Sequence, residues 1–417
     1  MKRVVITGTG LVTCLGQDVE KVWSAVLKGE SGVRVHPEFA DVDGLRVRIA
    51  APVLDFEPQK IPRKFRRSMS KMAMFAASAA QDAFDQAKFP METLSSGRVG
   101  IVAGSTTGSP EAMREFFAEF VQHHSIRQVS STMFLRVMSH TVPAHLALVF
   151  GITGPVHSPS CACAVSNQAI GIALDMIRSG RVDAVLCGGA DEISVLGIAT
   201  FDVVNAACRG YEDDPGARPA PFESSRDGVV IGEGASMLVL ESLEHAQARG
   251  ATILAEVLGY GESCDASHMS SPEATGMQAA MERALRDAQR SPQEIDYVCA
   301  HATGTQVGDA TEAEATWRVF GEAVPVSSLK GHFGHTLAAC GGLEAVLCVL
   351  AMRDGWVPAT RNLRETDVAP VQLPREPMRR QLNNIVSNNF AFGGINASLV
   401  LGRAPRDFEG GTGATGE

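Results

Sequence analysis

The chain has 417 residues, 45% hydrophobic and 20% charged, which fits one large core or two fused halves and excludes a disordered or fibrous chain. A formal net charge of -10 argues against non-specific nucleic-acid or anionic-membrane binding, so an acidic partner has to meet a local basic patch. Nine cysteines, an odd and scattered set without a CxxC pair, suit reduced thiols in a cytoplasmic compartment better than a disulfide framework or a structural zinc.

The chain opens with Met-Lys-Arg and VVITGTGLVTCLG, which mimics the charged and apolar regions of a signal peptide. Gly8, Gly10 and Gly16 interrupt that run, so a buried first strand and a Gly turn explain it better. The Gly8–Gly10 pair also invites a dinucleotide-binding reading, but Thr13 stands where GxGxxG needs a third glycine. Further on, IPRKFRRSMSK gathers Arg63, Lys64, Arg66, Arg67 and Lys71, either as a solvated helix face or as a docking patch. A small-residue helix pattern, KMAMFAASAAQDAF, precedes the strand RVGIVAGS and its polar loop at Thr107.

In SPSCACAVSN, Cys163 sits at the start of an expected helix, 164–178, with Cys161 two residues back. Unpaired amides and the positive end of a helix dipole favour a thiolate there, although free cysteines are commonly small buried fillers. The strand RVDAVLCGGA follows, and IDYVCAHATGT then puts His301 between a strand and a Gly/Thr loop. KGHFGHTLAAC brings Lys330, His332 and His335 before a second apolar helix, with His332 the weaker candidate of the two histidines. One cysteine and two histidines, each at an element end, form a constellation suited to nucleophilic and acid–base chemistry. NNFAFGGINAS closes the pattern with Phe390, Phe392 and a Gly393–Gly394 turn, either a plain hairpin or a source of backbone donors for an oxyanion. No 18-residue apolar run occurs, and EGGTGATGE lacks the apolar content to fold.

Strands alternating with helices indicate an α/β protein with buried strands. Residues 158–185 also echo 327–360, and GIVAGSTTG echoes YVCAHATGT, as expected for a duplicated α/β half or for chance likeness between two such units. The halves are expected at 1–250 and 251–404, with a disordered tail at 405–417.

Taken together, these motifs resemble the β-ketoacyl-acyl carrier protein synthases, most closely the synthase II type and its relatives in polyketide and aryl-polyene pathways. The likeness covers roughly residues 3–402 in one register. It implies a thiolase-like fold, two duplicated α/β halves in a five-layered αβαβα sandwich, working as a homodimer or beside a chain-length partner subunit. It further implies that Cys163 carries an acyl group from acyl carrier protein, which the carbanion from decarboxylated malonyl carrier protein attacks to lengthen the chain by two carbons. His301 and His335 would stabilise the enolate, and the backbone N–H groups of Cys163 and Phe392 the thioester oxyanion. Lys330 would order the site with Glu312 as its acidic neighbour; Thr303 and Thr305 would hold the pantetheine arm, and Phe390, Phe392 and Thr107 would line the substrate path. Arg63, Lys64, Arg66 and Arg67 would dock the acidic carrier protein; no metal or further cofactor is implied. The likeness departs at Ala302, where the family has Gly, and at SPSCACAV, where it commonly has TACTS; acyl length and pathway stay open. A non-catalytic chain-length subunit would be expected to lack the cysteine, and a thiolase to carry a second cysteine in the last Gly-rich loop, which NNFAFGG does not.

Overall fold

The computed structural model describes residues 1–58, 61–211 and 214–404, so the expected tail at 405–417 lies outside the described residues. Ten strands form one sheet: β1 (Val4–Val12), β2 (Val99–Gly104), β3 (Val156–His157), β4 (Ala184–Asp191), β5 (Gly234–Ser242), β6 (Ala255–Cys264), β7 (Tyr297–Cys299), β8 (Val326–Ser327), β9 (Asn384–Ala391) and β10 (Ile395–Arg403). Their order across the sheet is β3-β2-β4-β5-β1-β6-β10-β9-β7-β8. Adding five to each strand of the first half reproduces the second half in mirror order. The pairing matches too: β2 is parallel to β3 and β4, as β7 is to β8 and β9, while β4–β5, β5–β1, β9–β10 and β10–β6 are antiparallel. The halves join where β1 meets β6 at Val5–Glu256 and Ile6–Ala255. The sequence echo is therefore a duplication of topology.

Helices complete five layers. Val165–Arg178 and Cys340–Asp354 pack against each other between the half-sheets, while Lys71–Ala87 covers β1 and β5 and Ala274–Asp287 covers β6 and β10. Cys340–Asp354 is apolar nearly all round and buried from Cys340 to Met352, as a central helix must be. The two outer helices sit close because each faces a glycine pair. A Cβ on Gly8 or Gly10 would lie 2.0 or 1.9 Å from the carbonyl oxygen of Ala83 or Ala79, and one on Gly259 or Gly261 would lie 2.4 or 2.2 Å from backbone atoms of Ala288 or Ala280. Close helix packing, not a nucleotide, explains GTG.

One part of the echo is displaced. After helix 340–354 the expected strand is only Trp356–Val357, paired with Met378–Arg379 outside the main sheet, and β9 takes the place that β4 holds in the first half. No single helix among the described residues is long and apolar enough to cross a membrane.

Candidate active site

Cys163 lies in the single 3-10 turn Ala162–Ala164 that feeds helix 165–178, two residues before the first residue of the helix. Ala162 before it has φ +49, a conformation a non-glycine residue adopts at a cost of about 1–3 kcal/mol, and which persists where the surrounding packing holds it. The turn is repeated at Leu337–Ala339, where Leu337 has φ +52 ahead of helix 340–354. Ala338 thus occupies the position in the second half that Cys163 holds in the first.

His335 arrives from the loop before that second turn, and its Nε2 lies 2.8 Å from Cys163 Sγ. The Leu337 backbone N–H donates to His335 Nδ1 at 3.3 Å, so Nδ1 accepts and the ring proton sits on Nε2, aimed at the sulfur. The ring of His301, from the loop after β7, lies edge-on to His335 with centroids 5.2 Å apart. Cys163, His301 and His335 each present a ligand-type atom within a 4.8 Å group. A metal would need a lone pair where His335 presents N–H, so the arrangement fits an anion better than a cation.

Both imidazoles are held well below the usual histidine range, first by burial and then by the nearby Lys330 ammonium, so both are neutral at pH 7. Cys163 is 6% exposed, and burial pushes its thiol up to about 12, against the thiolate expected from a helix start. Lys330 is the largest influence in the other direction, and the backbone N–H groups of Cys163 and Phe392 both bond to the sulfur and add to it. Those two amides converge on the atom where a thioester would form.

Lys330 is 2% exposed and its direct ion-pair partner is Glu344 at 2.5 Å, an acid the sequence did not single out, while Glu312 is an acidic neighbour that feels the Lys330 charge without bonding to it. Glu312 instead accepts the backbone N–H groups of His301 at 2.8 Å and Ala302 at 2.6 Å, fixing the histidine loop. Asp309 does the same for Thr303 and Gly304. The left-handed position in this loop is Gly304, φ +87, so alanine at 302 is accommodated without strain.

A cavity of about 290 Å³ opens onto Cys163, lined by His301, His335, Thr303, Thr305, Phe390 and Phe392 as expected. Phe392 is 41% exposed at its mouth and stacks on Phe201 with centroids 5.8 Å apart, a partner that the sequence did not single out. Thr107 corrects another expectation: it is exposed and does not line this cavity, because its neighbour Thr106 is the residue turned inward, onto Asp191 at 2.6 Å. His332 faces away, donating from Nδ1 to the Glu30 carbonyl at 2.7 Å. Cys161 packs in a small apolar cluster beside Tyr260, Ala391 and Ala397.

In the basic segment, Arg63, Lys64 and Arg67 are exposed and Arg66 is half-buried on or beside the short helix Arg63–Arg66. Lys71 is engaged by the fully buried Glu233 at 2.6 Å. Four of the five cations therefore remain for a partner.

Comparison with known proteins follows the same lines. The description of the beta-ketoacyl synthase N-terminal domain matches residues 1–246 and that of the C-terminal domain residues 254–364. The 3-oxoacyl-[acyl-carrier-protein] synthase 2 of Coxiella burnetii is 36% identical, covering 96% of this chain and 99% of its own. A crystal structure of a beta-ketoacyl synthase from Burkholderia phymatum superimposes with TM-score 0.94 at 42% identity, covering 97% of this chain and 100% of its own. The structure described as the ishigamide ketosynthase/chain length factor gives 0.90 at 34%, covering 97% of this chain and 100% of its own.

Proposed function

The chain belongs to the β-ketoacyl synthase family, an acyltransferase family of decarboxylative condensing enzymes, and we propose that Cys163 is its acyl-carrying nucleophile and His301 and His335 its enolate-binding donors. The observation that carries this is the meeting of Cys163, His301 and His335 within 4.8 Å at the end of one cavity.

In the first half-reaction the sulfur attacks the thioester carbonyl of acyl carrier protein. The developing oxyanion is held by the amides of Cys163 and Phe392, and the pantetheine sulfur leaves with the proton that the thiol gives up. The His335 Nε2–H, Lys330 and the two amides all lower the free energy of the sulfur anion that burial opposes. In the second half-reaction malonyl carrier protein loses CO2. Its thioester oxygen becomes an enolate oxygen, for which two buried, neutral N–H donors are the suitable partners. The enolate carbon then attacks the acyl-Cys163 thioester, the same amides hold the new oxyanion, and the thiolate is released. Thr303 and Thr305 line the approach for the pantetheine arm. The chemistry runs on the carrier-bound thioesters without a further cofactor.

We place the carrier protein on Arg63, Lys64, Arg66 and Arg67, a basic island on an acidic chain, where charge complementarity would steer docking. A second copy of the chain would cover the β3 edge and the helices beside it. There Phe117, Phe120, Phe134 and Leu148 are 49–62% exposed, a large apolar surface for a monomer. The free cysteines among the described residues suit a reducing cytoplasmic setting. A role as a mere chain-length subunit is disfavoured by an intact Cys163 with both histidines.

The deciding experiment is intact-mass measurement after incubation with acyl-acyl carrier protein. Wild type and Cys161→Ala should gain one acyl mass and Cys163→Ala none; an acyl group found on Cys161 in the Cys163→Ala protein would overturn the assignment.

A further inference from the structure

We infer that Asn389 is a positioning residue that keeps the proton of His301 on Nε2, the nitrogen that faces the cavity. The inference rests on the donor role proposed above for His301 and adds what makes that nitrogen a donor.

Asn389 lies in β9 and is fully buried. Its side-chain nitrogen faces three atoms: Glu344 Oε2 at 2.8 Å, the Asn388 carbonyl oxygen at 2.7 Å and His301 Nδ1 at 3.3 Å. Which end of an amide points where follows from its neighbours. A carbonyl oxygen only accepts, and Glu344 is held as a carboxylate acceptor by the Lys330 ammonium 2.5 Å from its other oxygen. Turning the amide over would set its oxygen against both acceptors, so the NH2 end faces them. The same NH2 lies 3.3 Å from His301 Nδ1, its two hydrogens are shared among three acceptors, and it offers no lone pair, so a proton on Nδ1 would meet N–H instead of an acceptor and Nδ1 is the unprotonated, accepting nitrogen. A neutral imidazole that accepts at Nδ1 carries its proton on Nε2.

The chain of cause therefore runs from Lys330 to Glu344, from Glu344 to the amide of Asn389, and from Asn389 to the tautomer of His301. It ends in the same state that the Leu337 amide imposes on His335 from the other side. Two unrelated devices prepare two N–H donors for one oxygen. Among the described residues Asn389 Oδ1 has no hydrogen-bond partner, so the amide is held by the bonds at its NH2 end. The arrangement also gives Lys330, which does not line the cavity, a route to the chemistry besides its charge.

The test compares Asn389→Asp and Asn389→Ala with the unsubstituted protein, each in a Cys163→Gln background so that malonyl decarboxylation is read without acylation. Nitrogen-15 spectra of histidine-labelled protein, with His301 identified by its loss in His301→Gln, report which ring nitrogen is protonated. The expectation is Nε2–H before substitution. In Asn389→Asp, whose side chain can only accept when ionised, the proton moves to Nδ1 and the decarboxylation kcat falls roughly 100-fold with KM nearly unchanged, the usual loss for one oxyanion donor. Asn389→Ala, which neither donates nor accepts, should give a mixture of tautomers and a smaller loss. Acylation of Cys163 by acyl-acyl carrier protein in the Asn389 single variants checks that the fold is intact. A proton found on Nδ1 in the unsubstituted protein, or a tautomer unmoved in both variants, overturns the inference. A tautomer that moves while the rate stays constant supports the positioning by Asn389 and instead overturns the donor role of His301.

Discussion

At the level of single residues, the centre works by burial set against a few directed dipoles. His301 and His335 are neutral because both are buried and Lys330 is near, so decarboxylation by Cys163→Gln is expected to keep its rate as pH falls from 8 to 6. A fall in rate centred near 6.5 would show an ordinary solvated histidine instead. His332 carries a stability consequence of the same kind: burial holds it down to about 4, whereas the unfolded imidazole titrates near 6.5. Between those values the unfolded chain binds a proton that the folded one does not. The contribution is complete above 6.5 and is lost as pH falls through about 4. Urea unfolding should therefore show the stability advantage of wild type over His332→Gln shrinking by ~2 kcal/mol between pH 7 and pH 5. The sequence exposed Cys163, His301, His335 and Lys330 because each stands at a strand or helix end beside glycine or small residues. It left Glu344 unnoticed, although one acid inside CGGLEAVLCVLAM calls for a buried cation. Asn389 carries no such mark, since only the fold brings β9 beside helix 340–354.

Among the elements, the glycines of β1 and β6 decide how closely the outer helices approach. Gly10→Val would drive side-chain atoms into the Ala79 carbonyl, already 1.9 Å from the Cβ position, and should cost at least about 1–3 kcal/mol, read as a lower Tm. Gly261→Val should do the same in the other half. A Gly10→Val protein as stable as wild type would show that helix 71–87 is not tightly seated. The pattern of strand then small-residue helix was legible at 1–13 and 71–87 because periodicity and glycine spacing are local. The strand expected after helix 340–354 was not found in the main sheet, because Trp356–Val357 pairs with Met378–Arg379 and passes its place to β9. Which of two apolar runs enters a sheet depends on partners far away in sequence, and periodicity does not report them. The 3-10 turns at Ala162–Ala164 and Leu337–Ala339 were hidden for a similar reason: neither Ala162 nor Leu337 is a residue type that announces a positive φ.

For the whole molecule, two matching halves meet along one sheet, and both contribute residues to the same cavity, Cys163 and Phe201 from the first and His301, His335 and Phe392 from the second. The exposed aromatic surface beside β3 should make the protein a dimer in solution; Phe134→Glu is expected to halve its mass by light scattering, and a wild-type monomer would contradict the covering copy proposed above. Reversing the charge of Arg63 and Arg67 should raise the KM for carrier-bound substrates about tenfold at low salt, less at high salt, and leave kcat nearly unchanged. Equal KM values would move the docking surface elsewhere. The duplicated turn has one more consequence, for stoichiometry. A chain built from two like halves begins with two equivalent addresses for covalent loading, but only the first holds sulfur, the second holding Ala338. Saturation with an acyl donor should therefore stop at one equivalent per chain, with the eight other thiols as bystanders, and titration to that single endpoint would count active molecules in any preparation.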